Sequence, residues 1–462
     1  MNLSKLFGDR RFYRSMLTVA IPIMVQNAIT NFVAMLDNIM VGQVGTVQMS
    51  SVSIVNQLIF VYNLCLFGGT SGAGIFTAQF VGKGDHQGIR YTMRFKIWNG
   101  AIISVLALLI FGFGGEPLIG LYLKGQAQAG EAASALSYGR SYLSVMMVGL
   151  IPFCLTNVYA STLRESGETM LPMKAGITAV LINLCLNYVL IFGHFGAPAL
   201  GVTGAAIATV ISRFAECFIV VGWTHRHREK NRYIVGLYHS LRIPAKLTRD
   251  MIVKGTPLLL NEALWSGAMA MLLQCYSIRG LSVIAAMNIN STLSNIFNIV
   301  FIAMGNTVSI LVGQLLGAGK IEEAKTAASR MTVFSVLCSL ATGLLMAAFH
   351  GVFPQFYNTT PEVRELASQF ILVTALLMFL PAFTNATYFT LRSGGKTLLT
   401  FFFDCFYVWI VNIPLAYCLC HFTDIPVVLV YLAVQASELL KCIIGFVLVK
   451  KGIWLNTIVD ES

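Results

Sequence analysis

AQFVGKGD at residues 78–85 returns as GQLLGAGK at residues 313–320, an offset of 235 (313 minus 78). AIPIMVQN at 20–27 matches GTPLLLNE at 255–262 with the same offset. Two later pairs have offsets of 228 and 229: NVYASTLRESGET (157–169) with NATYFTLRSGGKT (385–397), and NLCLNYVL (183–190) with NIPLAYCL (412–419). We therefore predict that the chain contains two copies of one structural unit.

The composition is that of an integral membrane protein. Of the 462 residues, 56% are hydrophobic and only 11% are charged, whereas soluble domains carry about 25% charged residues. A membrane-spanning helix needs about 20 apolar residues. Twelve runs meet that requirement: 15–42, 53–77, 97–115, 136–160, 173–192, 201–223, 252–278, 284–312, 327–353, 366–391, 398–420 and 425–449. With the repeat, this predicts an all-α polytopic protein of two six-helix bundles related by a pseudo-twofold axis along the membrane normal.

The distribution of positive charge predicts the orientation of the chain. If the N-terminus is cytoplasmic, 26 of the 31 lysine and arginine residues fall at or near cytoplasmic segments, as the positive-inside rule requires. Both termini are then cytoplasmic, in a plasma membrane. We divide the chain into an N-lobe (1–224, spans one to six), a basic cytoplasmic linker (225–250) and a C-lobe (251–462, spans seven to twelve). The linker also favours contact with anionic membrane lipids, and the scattered charges do not indicate nucleic-acid binding.

Two unpaired carboxylates within apolar runs are the first candidate functional residues. Asp37 in span one and Glu262 in span seven have no basic residue three or four positions away. A charge inside a bilayer is costly and by default indicates function. Such a carboxylate can hold a proton or bind Na⁺, and either would couple transport to an ion gradient; the alternative is a protonated, hydrogen-bonded carboxyl with a structural role.

Other charged residues in the runs suggest structural roles. Arg213 with Glu216, and Glu438 with Lys441, are spaced three apart on one helix face and can neutralise each other. Asp404 lies near the start of span eleven, where we expect it to snorkel to headgroup water or to cap locally.

Two prolines occupy equivalent positions in the repeat. Pro22 and Pro257 each remove a backbone hydrogen bond from a helix. They are candidate hinges, and a simple structural kink is the alternative.

The sequence resembles the multidrug and toxic compound extrusion (MATE) family over essentially its whole length. The resemblance rests on TVAIPIMVQNAITNFVAMLDNIMVG near the N-terminus, AQFVGKGD after span two, GVTGAAIAT in span six and NEALWS in span seven. It implies a monomeric, non-enzymatic exporter of organic cations and amphipathic drugs that has no cofactor. The exporter would be driven by Na⁺ or H⁺ entry and alternate between outward and inward states.

The family resemblance also implies a set of coupling residues. Asp37, Asn183, Asn187 and Thr209 would form an N-lobe cation or proton site, with Na⁺ as its candidate metal, and Glu262 would correspond to the glutamate of span seven. Some relatives have aspartate where this chain has Asn187, a departure that removes a negative charge. No acidic residue lies well inside span ten, so a C-lobe Na⁺ site that depends on one is not supported.

The sequence supports other functions less well than the exporter. A lipid-linked oligosaccharide flippase shares the architecture, but we expect its cavity to need several basic residues, and only Arg213 is basic deep in a span. GTSG at 69–72 has the form of a rhomboid protease motif, but all seven histidines lie in loops or at span ends, so no base is expected beside Ser71. SGGKT at 393–397 lacks the first glycine of a phosphate loop, so direct ATP use is not supported.

Overall fold

The computed structural model describes residues 7–123, 129–357 and 359–460, and in these ranges it contains helices and no strand. The α-helices are α1 (Arg10–Gly42), α2 (Thr46–Lys83), α3 (His86–Leu123), α4 (Ala129–Val148), α5 (Leu150–Glu165), α6 (Met170–Phe192), α7 (Gly201–Arg226), α8 (Ala245–Ser277), α9 (Leu281–Gly317), α10 (Ile321–Ala348), α11 (Pro361–Leu377), α12 (Phe379–Ser393), α13 (Thr397–Phe401), α14 (Ile413–Phe422) and α15 (Val427–Lys450). Two π-helical turns, Phe402–Phe406 and Val408–Asn412, join α13 to α14.

The described helices are long and apolar enough for a polytopic membrane protein. Ten of them, with α13 to α14 counted as one, could each cross a membrane by length and composition. The number is twelve if each of two bent pairs, α4 with α5 and α11 with α12, is one span. Each of the twelve predicted runs overlaps one of these helices or bent pairs, and the run that extends furthest past its helix, 327–353, ends five residues after Ala348.

The two bends have the same cause. The pairs bend by 46° and 50°, and α4 ends at Val148 and α11 at Leu377. Each of these is four residues before a proline, Pro152 or Pro381, which has no N–H to continue the helix. Pro152 and Pro381 are separated by 229 residues, an offset already found in the repeat.

Hydroxyl groups satisfy backbone carbonyls at both bends. Tyr62 donates to the carbonyl of Leu150 over 3.0 Å, and Ser339 donates to the carbonyl of Met378 over 2.8 Å. Buried carbonyls need such partners. Pro22 and Pro257, by contrast, lie inside the continuous helices α1 and α8, and their role as hinges stays a prediction.

The chain divides into two compact units. The first unit contains residues 25–77 and 85–249, and the second contains residues up to 24, residues 78–84 and residues from 250 onward. In the first unit α6 packs along α7, α4 and α5 pack against α7, and α3 packs against α4 and α5. In the second unit α9 packs against α10, α11 and α12, and α12 against α15. The lobes predicted from the repeat, 1–224 and 251–462, stay a prediction.

Two glycines allow α2 and α9 to cross closely within the second unit. A Cβ on Gly82 would clash with the carbonyl of Gln314, and a Cβ on Gly317 would clash with the carbonyl of Gln79. The contact is reciprocal because both the glutamines and the glycines are 235 residues apart. Only residues without a Cβ permit this approach of two backbones.

The segment after α15 packs onto the same crossing. Trp454 is fully buried, and the amide of Gln79 donates to the carbonyls of Ser393 (2.9 Å) and Asn456 (3.1 Å). The backbone N–H of Ile458 donates to Oε1 of Gln79 over 2.8 Å. The end of α2 is therefore held by residues from α12 and from the segment after α15.

One arginine anchors the basic segment within the first unit. The guanidinium of Arg94 in α3 donates to the carbonyls of Gly236, Leu237 and Arg242 at 2.9–3.0 Å, and Arg94 is 6% exposed. Burial also raises the pKa of the nearby Tyr233 hydroxyl well above its usual range. Residues 232–242 are thus a folded part of the unit.

Replacing Arg94 by alanine should lower the free energy of unfolding by about 3 kcal/mol, because three backbone carbonyls lose charge-assisted hydrogen bonds from one buried guanidinium. Arg94→Lys should recover little, since an ammonium cannot reproduce the planar fork of donors. The thermal midpoint of the purified protein measures the effect, with Arg228→Ala, at an exposed position, as the matched control. Equal midpoints for Arg94→Ala and Arg228→Ala would contradict the anchoring role.

Candidate functional site

A chain of hydrogen bonds in the first unit connects Asp37, Asn187, Asn183 and Thr209. The amide of Asn187 donates to Oδ1 of Asp37 over 2.6 Å and to Oδ1 of Asn183 over 3.1 Å. The amide of Asn183 donates to the hydroxyl of Thr209 over 3.2 Å, and that hydroxyl donates to the carbonyl of Ala205. The structure thus brings together all four residues of the predicted N-lobe site.

Helix geometry explains why these side chains meet. Asn183 and Asn187 are four residues apart and lie on the same face of α6. Thr209 lies on α7, which packs along α6, and Asp37 lies on the part of α1 that belongs to this unit. Both asparagines are buried, at 4% and 1% exposure, so their amides need partners inside the protein.

The site offers oxygen atoms of the kind that Na⁺ binds. Oδ1 of Asn187 is buried and accepts no hydrogen bond from the described residues. The carboxylate of Asp37, the amide oxygens and the Thr209 hydroxyl are hard ligands, which suit hard cations better than soft metals. In the described chain no group of three or more His, Cys, Asp or Glu side chains forms a metal cluster.

Further polar residues near this site, among them Tyr142, are not predicted from the sequence. The hydroxyl of Tyr142 donates to Oδ1 of Asn56 over 3.3 Å, and Tyr142 interacts electrostatically with Asp37 and Arg213. The guanidinium of Arg213 lies over the ring of Phe153 at 4.2 Å. Asn56 and Tyr142 are single polar residues on separate helices, so no local pattern marks them.

Glu262 lies in the second unit, on α8. Arg392 and Asp404 are the charged groups that act on it electrostatically. Its neighbour Asn261 donates through Nδ2 to Oδ2 of Asp404 over 3.2 Å. Asp37 and Glu262 therefore belong to different units, and each has its own set of polar neighbours.

The expectation that Asp404 snorkels or caps locally is wrong. Its Oδ1 lies 2.8 Å from Nζ of Lys441 on α15, and its side chain is 22% exposed. Lys441 is also 3.7 Å from Oε2 of Glu438, so the predicted pair three residues apart exists. The ammonium nevertheless lies closer to Asp404. A buried ammonium gains more from two carboxylates than from one.

The GTSG segment lies inside helix α2, and Ser71 is buried there. Its neighbour Thr70 donates to the carbonyl of Leu66, one turn earlier. The segment is thus part of a packed helix.

The family model described as MatE matches residues 22–189 and 257–418. The chain belongs to the MATE family of transporters. The two matched segments begin 235 residues apart, the offset found between the first pairs of repeated motifs. With its many apolar helices, this MATE transporter is a multi-pass protein of the plasma membrane.

Individual relatives agree with the family. The chain is 23% identical over 449 residues to "Probable multidrug resistance protein NorM" of Thermotoga maritima, covering 96% of this chain and 93% of that protein. It is 25% identical over 407 residues to "Multidrug resistance protein MdtK" of Yersinia pseudotuberculosis, covering 88% and 87%. The fold matches a crystal structure of a mutant of the Vibrio cholerae MATE transporter VcmN with a TM-score of 0.85, at 16% identity over 96% of this chain and 97% of that one. Both relatives carry the name of a multidrug resistance protein, and the solved structure shows the same fold.

Proposed function

We propose that this transporter exports organic cations and amphipathic drugs by antiport with Na⁺ or H⁺, acting as a monomer. The observation that carries the proposal is the hydrogen-bonded chain from Asp37 through Asn187 and Asn183 to Thr209. This chain connects α1 to α6 through the carboxylate of Asp37, and α6 to α7 through the hydrogen bond from Asn183 to Thr209. A proton on Asp37 removes its negative charge and Na⁺ neutralises it, so either ion weakens the charge-assisted hydrogen bond from Asn187. Ion binding is thereby transmitted to three helices.

In the proposed transport cycle, two lobes of six spans each move so that access alternates between the two sides of the membrane. Three features support the internal repeat: the two matched segments of the family model, the paired bends at Pro152 and Pro381, and the reciprocal glycine contacts of α2 and α9. Repeats of this kind accompany transporters that rock two halves about a central site. The charge distribution supports cytoplasmic termini.

A reconstituted transport assay tests this function. Purified protein in liposomes should export a fluorescent organic cation when an inward Na⁺ or H⁺ gradient is imposed, and each gradient is applied separately to identify the ion. Transport that continues unchanged with both gradients collapsed would exclude antiport.

Replacing Asn187 by aspartate should shift the transporter toward Na⁺. A second carboxylate beside Asp37 strengthens attraction for a cation, and we expect the Na⁺ concentration for half-maximal transport to fall about tenfold, since about 1.4 kcal/mol is one factor of ten. Gln355→Glu, which adds a carboxylate at an exposed position of the second unit, serves as the control. An unchanged Na⁺ dependence in Asn187→Asp would argue against ion binding at Asp37.

A further inference from the structure

A buried ammonium group in the second unit is surrounded by acidic and aromatic side chains. Besides its contacts with Asp404 (2.8 Å) and Glu438 (3.7 Å), Nζ of Lys441 lies 5.4 Å from the ring centroid of Phe403 and 5.9 Å from that of Tyr407. Lys441 is 4% exposed. Carboxylates combined with aromatic ring faces are the surroundings in which proteins recognise alkylammonium ions. We call these five residues the ammonium cage.

Two asparagine amides complete the surroundings of the cage. Asn261 donates to Oδ2 of Asp404, and Asn412 donates to Oε1 of Glu438, each over 3.2 Å. Asn261 is 3% exposed, and its Oδ1 accepts no hydrogen bond from the described residues. The side-chain amide of Asn261, which is hydrogen-bonded to Asp404, therefore also carries a buried oxygen that is free to act as a cation ligand.

The polypeptide backbone supports this arrangement. Asp404 and Phe403 lie in the π-helical turn Phe402–Phe406. Tyr407 directly precedes the second turn, Val408–Asn412, and Asn412 is its last residue. π-Helical turns are rare and often occur at functional sites. The turn brings an acidic and an aromatic side chain, adjacent in sequence, to the same ammonium.

The two carboxylate sites have different partners. Asp37 in the first unit accepts from the neutral amide of Asn187, whereas Asp404 in the second unit is paired with a covalently attached cation. Under the 228 offset, Lys441 is equivalent to Arg213, whose guanidinium lies over Phe153. The basic residue is thus present in both repeats, and of the two only Lys441 forms ion pairs with two carboxylates among the described residues.

We propose that the ammonium cage is a cation site whose occupant is the side chain of Lys441, so that a free ion does not bind there. Removing the lysine side chain opens the site to Na⁺ or to a small primary alkylammonium ion. The inference rests on the proposed function in one respect: Asp37 is then the site of the exchangeable ion. Its test measures binding and does not require transport.

The test compares wild type with Lys441→Ala, purified in choline chloride. Truncation removes a propylammonium fragment from the cage. Addition of n-propylammonium or Na⁺ at matched ionic strength should therefore raise the thermal midpoint of the variant by at least about 2 °C. Equilibrium binding of radioactive Na⁺ should show one more bound ion per chain than in wild type. Lys441→Arg, which keeps a tethered cation, should gain neither response, and Asp404→Asn combined with Lys441→Ala should lose both.

The outcomes separate this proposal from the transport proposal. If Na⁺ and n-propylammonium act on Lys441→Ala no differently from choline and no additional Na⁺ binds, the proposal is overturned. The volume-conserving Lys441→Met is measured in parallel for Na⁺ alone. If neither Lys441→Ala nor Lys441→Met can be purified folded with added Na⁺ or n-propylammonium, the proposal is also overturned, because an added cation must replace the lysine. Loss of drug transport with the additional Na⁺ site present would instead count against the proposed function.

Discussion

Asp37→Asn should reduce gradient-driven drug transport by about 100-fold, since losing one charged ligand costs about 3 kcal/mol and each 1.4 kcal/mol is a factor of ten. Asparagine keeps the size of the side chain and can still hydrogen-bond Asn187. The substitution therefore removes the charge and the proton site and leaves the packing of α1 on α6 in place. The measurement is export of a fluorescent organic cation from liposomes under an imposed Na⁺ or H⁺ gradient.

One control variant and one comparison variant make this result specific. Asp424→Asn removes a carboxylate from an exposed loop position and should transport like wild type. Glu262→Gln tests the carboxylate of the second unit in the same assay. If Asp37→Asn and Glu262→Gln both retain full coupled transport, neither carboxylate is a coupling site.

Gly317→Ala should lower the free energy of unfolding by about 1–3 kcal/mol, because a Cβ at this position meets the backbone carbonyl of Gln79. A side chain could rotate away from the added atom, but a helix backbone cannot. The end of α2 should therefore separate from α9, and hydrogen–deuterium exchange should increase in residues 78–84 and 454–458. Gly82→Ala should produce the same pattern, since the contact is reciprocal.

The control for this prediction is Gly222→Ala in α7. A Cβ at Gly222 meets nothing within 4 Å, and alanine favours a helix more than glycine does by about 1 kcal/mol. Gly222→Ala should leave exchange in both segments unchanged. Equal exchange in Gly317→Ala and Gly222→Ala would show that the crossing does not depend on its glycines.

Much of the fold could be predicted from hydropathy and charge, because a bilayer imposes long apolar helices. Hydropathy does not reveal the bends in two spans, because averaging over a run of apolar residues hides a single proline. Pro152 and Pro381 were visible in the sequence, and the missing hydrogen bond four residues earlier could have indicated both bends. The repeat would have strengthened that prediction, since the two prolines occupy equivalent positions.

The candidate site was only partly accessible from the sequence. Asn183 and Asn187 share a helix face because of their spacing, but the resemblance, and not a local pattern, connected them with Asp37 and Thr209. The contact of Asp404 with Lys441 joins residues 37 positions apart on different helices. Helical periodicity relates residues three or four apart. It therefore predicts Glu438 as the partner of Lys441 and gives Asp404 no partner other than headgroup water.

The hydrogen bonds of Gln79 have a consequence for how the chain is made. This fully buried side chain bonds to Ser393, Asn456 and Ile458, which are synthesised 314, 377 and 379 residues after it. A nascent chain that has completed α2 therefore carries a polar group whose native partners do not yet exist. An unsatisfied buried amide is costly, so the end of α2 must stay hydrated or bound to other groups until translation passes residue 458. Assembly of this transporter is then completed late, when the segment after α15 closes over a helix that was among the first to be inserted.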